Sequence, residues 1–182
     1  MGFRFFPLEV DGVFHIIPDR FEDKRGFFQE IYRESVFKEH GIDCHFVQIN
    51  TSYSKKGVIR GLHYQLPPHP QAKLVRCIYG EVFDVALDVR ASSPSFGRWA
   101  GETLSMERGN MLFIPVGFAH GFEVLSDFAI IEYLVSDEYC PECEAGVNYK
   151  DEDVKIKWQT RTPILSEKDL GLPYLKRAMV FR

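Results

Sequence analysis

Several things are missing from this sequence, and each absence narrows what the chain can be. There is no basic excess: 22 Lys and Arg against 26 Asp and Glu give a formal net charge of -4, which leaves no electrostatic footprint for DNA or RNA. No apolar run approaches the roughly 20 residues that a membrane span needs. Neither repeats, low-complexity tracts nor linkers break the 182 residues, so we expect a single domain over 1–182 with a sizeable core. The start, MGFRFFPLEV, lacks a charged segment followed by a long apolar run and a small-residue cleavage site. No secretory signal is visible there, and a cytoplasmic location is expected.

Cysteine is scarce. The four are Cys44, Cys77, Cys140 and Cys143, the last two in the motif CPEC. A zinc site needs four ligands, and the remaining candidates are the remote pair Cys44 and His45. A thioredoxin-like redox site would need a βαβ pattern around the motif. The expected reading is a polar loop with reduced cysteines.

What the sequence does have is aromatic residues, 14% of the chain with 16 Phe and 8 Tyr, which favours a β-rich fold. ESVFKEHGI reads as one short helix, with Ser35 near its N-cap and Gly41 at its end. Asp23-Lys24-Arg25-Gly26 reads as a turn between extended segments. From about residue 45 to 135 short β-type runs follow one another without helical periodicity, which predicts an antiparallel sandwich or barrel. PILSEKDLGLPYL adds a short helical turn. Within KLVRCIYGEVFDVALDVR, taking Gly80-Glu81 as a hairpin turn puts Lys73, Val75, Cys77 and Tyr79 opposite Val82, Asp84, Ala86 and Asp88 on one face. Phe83, Val85, Leu87 and Val89 take the other. A few charges on an otherwise small apolar face suit a lined cavity; the alternative is that they face water.

The segment GNMLFIPVGFAHGF spaces Gly109, Pro115, Gly117 and His120 in a way that resembles the second motif of the cupin superfamily, small antiparallel jelly-roll barrels with a ligand pocket in the barrel mouth. Metal-binding cupins also carry an H-x-H pair and a glutamate in a first motif. The corresponding region, RGLHYQLPPHPQAK, offers a single strand histidine, His63, with His69 in a proline-rich loop. No three-ligand set assembles from these. A metal-free cupin is therefore expected, with His63 and His120 left for acid-base chemistry or substrate contact.

RGLHYQ, KLVR, YGEVFDVALDVR, FIPVGFAHGF, Tyr133 with Tyr139, and PILSEKD, in this order and spacing, resemble the dTDP-4-dehydrorhamnose 3,5-epimerase family over most of the chain. The resemblance implies a homodimeric jelly roll that inverts C3 and C5 of dTDP-4-keto-6-deoxyglucose without metal or organic cofactor. It implies His63 as the base, Asp169 as the carboxylate paired with it, Lys73 as the cation at the enolate oxygen, and Tyr133 as the acid on the opposite face. Arg60 and His120 resemble pocket residues for the sugar or its phosphates, with Asp84 holding one of the cations. Phe21, Arg25, Phe28 and Glu30, with Gln48, Asn50 and Tyr139, resemble the segments that hold the thymine and diphosphate, some of them supplied by the partner subunit. The chain departs from the family at Ile49, where Asp is usual, and at Glu138, where an aromatic is usual.

Each assignment has a plainer counterpart. Asp169 would complete a capping box begun by Ser166, Tyr133 alternates with Ile131 and Val135 as core, and a lone His63 would be structural. A mono-epimerase on a related 4-keto sugar and a non-catalytic nucleotide-sugar-binding cupin are the competing functions. Strand parity also sets Arg60 and His63 on opposite faces, so a β-bulge at Gly61 is predicted to bring both into one pocket.

Overall fold

The short apolar runs become strands because nearly all are buried on at least one face, and several on both. The computed structural model describes residues 2–182. In chain order the elements are β1 (Phe3–Pro7), β2 (Phe14–Pro18), β3 (Arg20–Asp23), β4 (Gly26–Gln29), α1 (Glu34–Glu39), β5 (Gln48–Lys55), β6 (Ile59–Gln65), β7 (Lys73–Tyr79), β8 (Glu81–Asp88), β9 (Trp99–Ser105), β10 (Met111–Ile114), β11 (Phe118–Val124), β12 (Phe128–Val135), β13 (Glu144–Gly146) and α2 (Glu167–Leu170). A six-stranded sheet, ordered β1-β2-β10-β7-β12-β5, faces a five-stranded sheet, ordered β13-β6-β11-β8-β9, with β3 and β4 as a separate two-stranded arm. All pairings within the sheets are antiparallel. This is the cupin-type jelly roll with a few short helices.

Between the sheets lies a core that includes Val75, Cys77, Val82, Ala86, Leu104, Leu112, Phe118 and Ile131. Both outer faces are covered as well. Phe37 of α1 is fully buried with Ile16, Leu74 and Met111 over the six-stranded sheet, where Phe3 and Phe5 meet its ring edge-on at 5.3 and 5.2 Å. Leu62 and Leu87 of the other sheet, with Val89 just after β8, pack under the C-terminal segment through Val154 and Leu175. With both faces covered, the strands read as apolar runs with little alternation.

Three local expectations are corrected. Gly80-Glu81 does not close a hairpin: β7 pairs with β10 and β12, whereas β8 pairs with β11 and β9, in the opposite sheet. Gly80, at φ +79°, turns the chain from one sheet to the other. The face assignments survive because two strands facing each other across a core share interior parity just as a hairpin does. Tyr79 escapes that parity, because the register with β12 shifts between Ile130 and Ile131, and it lies outside, stacked on Phe128 at 4.6 Å. Finally, Ser35 is not the cap of α1: Arg33 holds that position in extended geometry, and Ser35 lies in the first turn.

The bulge at Gly61 is present. His120 pairs with His63 and Phe122 with Arg60, so β6 spends one residue more than β11 between these pairs. Gly61 has φ +126°, and a Cβ built there would lie 2.6 Å from Gly121 Cα and 2.8 Å from His120 O. Only glycine satisfies both the backbone conformation and the contact. Gly61→Ala is expected to cost roughly 2–4 kcal/mol of unfolding free energy in urea titrations, from φ strain and collision together. Gly26→Ala, at φ +122° with nothing near its Cβ, isolates the strain and should cost about 1 kcal/mol; equal losses at both positions would remove the close-approach argument.

Candidate active site

The bulge sets Arg60 and His63 on one side of β6, and the inward faces of β7, β11 and β12 supply the remaining walls. The cleft has two lobes of about 280 Å³ each that share His63, Lys73 and Tyr133. One lobe adds Gln48, Asn50, Gln65, Gln71, Tyr139 and Glu144. The other adds Ser52, Arg60, His120, Lys168 and Asp169.

His63 Nε2 lies 2.6 Å from Asp169 Oδ1, across 106 residues of sequence. Asp169 does two jobs at once. Its backbone N–H donates to the Ser166 hydroxyl at 3.1 Å, capping α2, while its carboxylate turns to the histidine. Burial raises the Asp169 pKa, but the hydrogen bond and charge of His63, with hydrogen bonds from Ser166 and Gly61, outweigh it and hold the carboxyl below its ordinary value. It is therefore an anion that can orient the imidazole and stabilise an imidazolium.

Beside His63 in register stands His120, whose Nε2 is 2.7 Å from Asp84 Oδ1. Burial lowers the His120 pKa more than Asp84 raises it, with Lys73 and His63 adding to the lowering. A neutral His120 then donates its Nε2–H to the fully buried Asp84, leaving Asp84 Oδ2 without a hydrogen-bond partner. Asp84 thus anchors the second histidine, a neutral partner, where the sequence reading had it hold a cation.

Lys73 is 7% exposed, and its Nζ donates to the His63 carbonyl at 3.3 Å. Burial pushes its pKa down to about 8, against the pull of Asp84 and Glu144. Tyr133 stands in the same sheet as Lys73 and faces the two histidines from across the cleft, its ring centroid 6.2 Å from that of His120. Burial chiefly raises its pKa, so the phenol keeps its proton at neutral pH. A histidine paired with a carboxylate and a proton-bearing phenol thus come from opposing sheets, with Lys73 lining both lobes between them.

Gln48 Nε2 donates to Asn50 Oδ1 at 2.8 Å, and its Oε1 accepts from Tyr139 N–H at 3.0 Å. The Arg60 guanidinium is fixed by Ser54 Oγ at 2.9 Å and the Tyr53 carbonyl at 3.2 Å.

Four expected binding residues are not brought into this cleft. Phe21, Arg25, Phe28 and Glu30 lie on or just after the β3–β4 arm; Phe21 and Phe28 are 49% and 61% exposed, while Arg25 pairs with Asp23 and Glu30 with Arg33. The arm is a two-stranded hairpin held at one end by Arg20, which donates to the Met106 and Glu107 carbonyls at 2.6 Å, and none of its residues lines either lobe. Asp88 also leaves the cleft, taken up by Arg90, Ser93 and Ser95. Cys140 and Cys143 are joined in a disulfide, where a reduced loop was expected; their sequence spacing within one tight turn sets the sulfurs side by side. His69 pairs with Asp137 outside the cleft. Among the described residues no group of His, Cys, Asp and Glu side chains is arranged to hold a metal ion.

Sequence reasoning passed over Glu144 and Lys168. Glu144 Oε2 accepts from Tyr139 OH at 2.8 Å and from Lys168 Nζ at 2.6 Å, bridging the two lobes. Lys168 stands next to Asp169 in the SEKD motif, but elements of three and four residues are too short to carry a periodic signal.

Comparison with known proteins places the chain. A family profile described as dTDP-4-dehydrorhamnose 3,5-epimerase matches residues 7–177. The chain is 50% identical over 164 residues to a dTDP-4-dehydrorhamnose 3,5-epimerase of Shigella flexneri, covering 90% of this chain and 91% of the relative. A Methanothermobacter thermautotrophicus protein of the same name is 44% identical over 182 residues, with 98% of each chain covered. Among solved structures, a 3,5-epimerase of Legionella pneumophila in complex with dTDP-4-keto-L-rhamnose superposes with a TM-score of 0.93 at 43% identity, covering 97% of this chain and 94% of that one.

The electrostatics give a test. A native Lys73 pKa of about 8 against an ordinary 10.5 means the unfolded chain binds the proton more tightly, so the buried ammonium costs stability in full below pH 8, and that cost fades as pH rises toward 10.5. Lys73→Met should therefore raise the unfolding free energy at pH 7 by about 1–3 kcal/mol, and its advantage should shrink between pH 8 and 10.5 in parallel urea titrations. A constant advantage across that window would contradict the assignment.

Proposed function

The chain belongs to the dTDP-4-dehydrorhamnose 3,5-epimerase family, and from that premise we propose how its cleft converts dTDP-4-keto-6-deoxy-D-glucose to dTDP-4-keto-L-rhamnose. The protons at C3 and C5 are acidic only because both carbons flank the C4 ketone. Inversion needs a base to remove one, a positive group where the ketone oxygen becomes an enolate, and an acid on the far side to return a proton.

The observation that carries the reading is His63, paired with buried Asp169, facing Tyr133 across the cleft from the opposing sheet. His63 takes the proton, and Asp169 holds its tautomer and balances the charge it gains. Lys73 stabilises the enolate oxygen from its desolvated position, where a charge acts more strongly than in water. Tyr133, still protonated, delivers to the other face. Since C3 and C5 both adjoin C4, the same set serves both carbons after a change of pose. Arg60 and His120 contact the sugar and phosphates, while Gln48, Asn50 and Tyr139 line the lobe that takes the nucleotide.

We further propose a homodimer in which the β3–β4 arm of each chain, with Phe21, Arg25, Phe28 and Glu30, completes the partner's nucleotide site. Two exposed phenylalanines on a thin arm, remote from the cleft of their own chain, support this. We read residues 1–182 as one epimerase domain. A diphosphate-linked sugar, the charged product of nucleotide metabolism, supports a cytoplasmic location; no helix among the described residues is long and apolar enough to cross a membrane.

Solvent deuterium exchange into the substrate, followed by NMR, tests the chemistry. Label is expected at both C3 and C5, lost by about 10³-fold in rate in His63→Ala, whereas Tyr133→Phe should exchange without full inversion. Label at one carbon alone would make the protein a mono-epimerase, and its absence in a folded protein would remove this substrate. The dimer is tested by co-expressing His63→Ala with Arg25→Ala. A shared site restores about a quarter of wild-type activity in the mixture, because half the dimers are mixed and one of their two sites is intact; no recovery would mean that each chain builds its own site.

A further inference from the structure

One pair of side chains stands beside the cleft without a role in the chemistry. Cys140 and Cys143 are joined in a disulfide that closes a turn between two cleft residues, Tyr139 before it and Glu144 after it. The turn is fastened to the base-bearing strand at three points. Cys140 N–H donates to Gln65 Oε1 at 2.9 Å, Leu66 N–H donates to the Cys143 carbonyl at 2.9 Å, and Glu144 stands opposite Gln65 in the β13–β6 register. Both cysteines are only partly buried, so a reagent reaches them. Of the other two cysteines, Cys77 is buried, while Cys44 is partly buried like the pair.

We propose that Cys140 and Cys143 are a thiol–disulfide exchange site that sets the affinity of the cleft for its nucleotide; the proposal rests on the nucleotide-sugar reading above. The co-reactant is a disulfide, either of a small thiol such as glutathione or of a protein. One cysteine thiolate attacks it, forming a mixed disulfide and releasing one thiolate. The second cysteine then attacks the mixed disulfide, closing the Cys140–Cys143 bond and releasing the other. Two electrons pass to the co-reactant, and the two cysteine protons go to solvent or to the released thiolates. In a reducing compartment such a bond is reversible rather than structural.

The geometry fixes the direction of the effect. Tyr139 OH and Lys168 Nζ both donate to Glu144 Oε2, so the wall formed by these three depends on the spacing between Tyr139 and Glu144. The closed disulfide holds that spacing before ligand arrives. The open dithiol leaves the turn more conformations, and binding must order them. The oxidised protein should bind dTDP more tightly, by about fivefold, with kcat little changed.

The test uses the full chain in two states, reduced with excess dithiol or oxidised with glutathione disulfide, reagents removed and the thiol count checked by alkylation and mass spectrometry. The Kd for dTDP is measured by calorimetry and does not depend on turnover, so failure of the epimerase reading and failure of the switch are separable. A roughly fivefold lower Kd in the oxidised state, absent from the Cys140→Ser/Cys143→Ser variant, would establish it. By linkage, saturating dTDP must then favour the disulfide by the same factor, about 20 mV in its reduction potential. Equal Kd values in the two states, or a redox response that persists in the double variant, would overturn the proposal.

Discussion

The cleft depends on a place where two strands touch with no side chain between them. Gly61 of β6 lies against Gly121 of β11 so closely that a methyl group on either would meet backbone. That contact accommodates the extra residue in β6, and the extra residue swings Arg60 onto the side already occupied by His63. Without it, regular alternation would send the arginine to the back of the sheet, against the apolar layer through Leu62, where a guanidinium has no partner. The geometry of this cleft wall is thus fixed by the absence of side chains rather than by any attraction among the residues that line it.

Desolvation then sets protonation states. Lys73, His120, Asp84 and Asp169 lie where water hardly reaches, and the protein distributes charge among them unevenly: the lysine is pushed toward neutrality, His120 is held neutral beside its aspartate, and Asp169 is held ionised. Two histidine–aspartate pairs, side by side in one sheet, consequently differ in character. The His120 pair is buried, while His63 keeps 29% of its side chain exposed and faces the cavity. The same residue types yield an enclosed hydrogen-bond donor in one case and a side chain open to the cleft in the other.

Much of this was legible in the sequence, and the misses have physical causes. Parity identified the interior faces of β7 and β8 but not their pairing, because strands facing across a core and strands joined in a hairpin present the same alternation. The conflict between Arg60 and His63 was itself informative, since a parity violation next to a glycine locates a bulge. Asp88 looked like a cavity residue until Arg90, Ser93 and Ser95, a loop its own strand runs into, claimed both its oxygens. Glu144 and Lys168 were invisible because their meaning comes from tertiary position: one sits on a short edge strand, the other on a four-residue helix, and they join only when both are in place.

The Ser166–Asp169 turn has a temporal side. His63 is oriented by a carboxylate 106 positions downstream, on a four-residue helix that the same aspartate helps to cap. A nascent chain can complete both sheets of the barrel and still leave His63 unpaired until that last segment emerges and docks. In the order of the chain, every strand is therefore spelled out before the residue that pairs with His63, which is the last part of the cleft to be made.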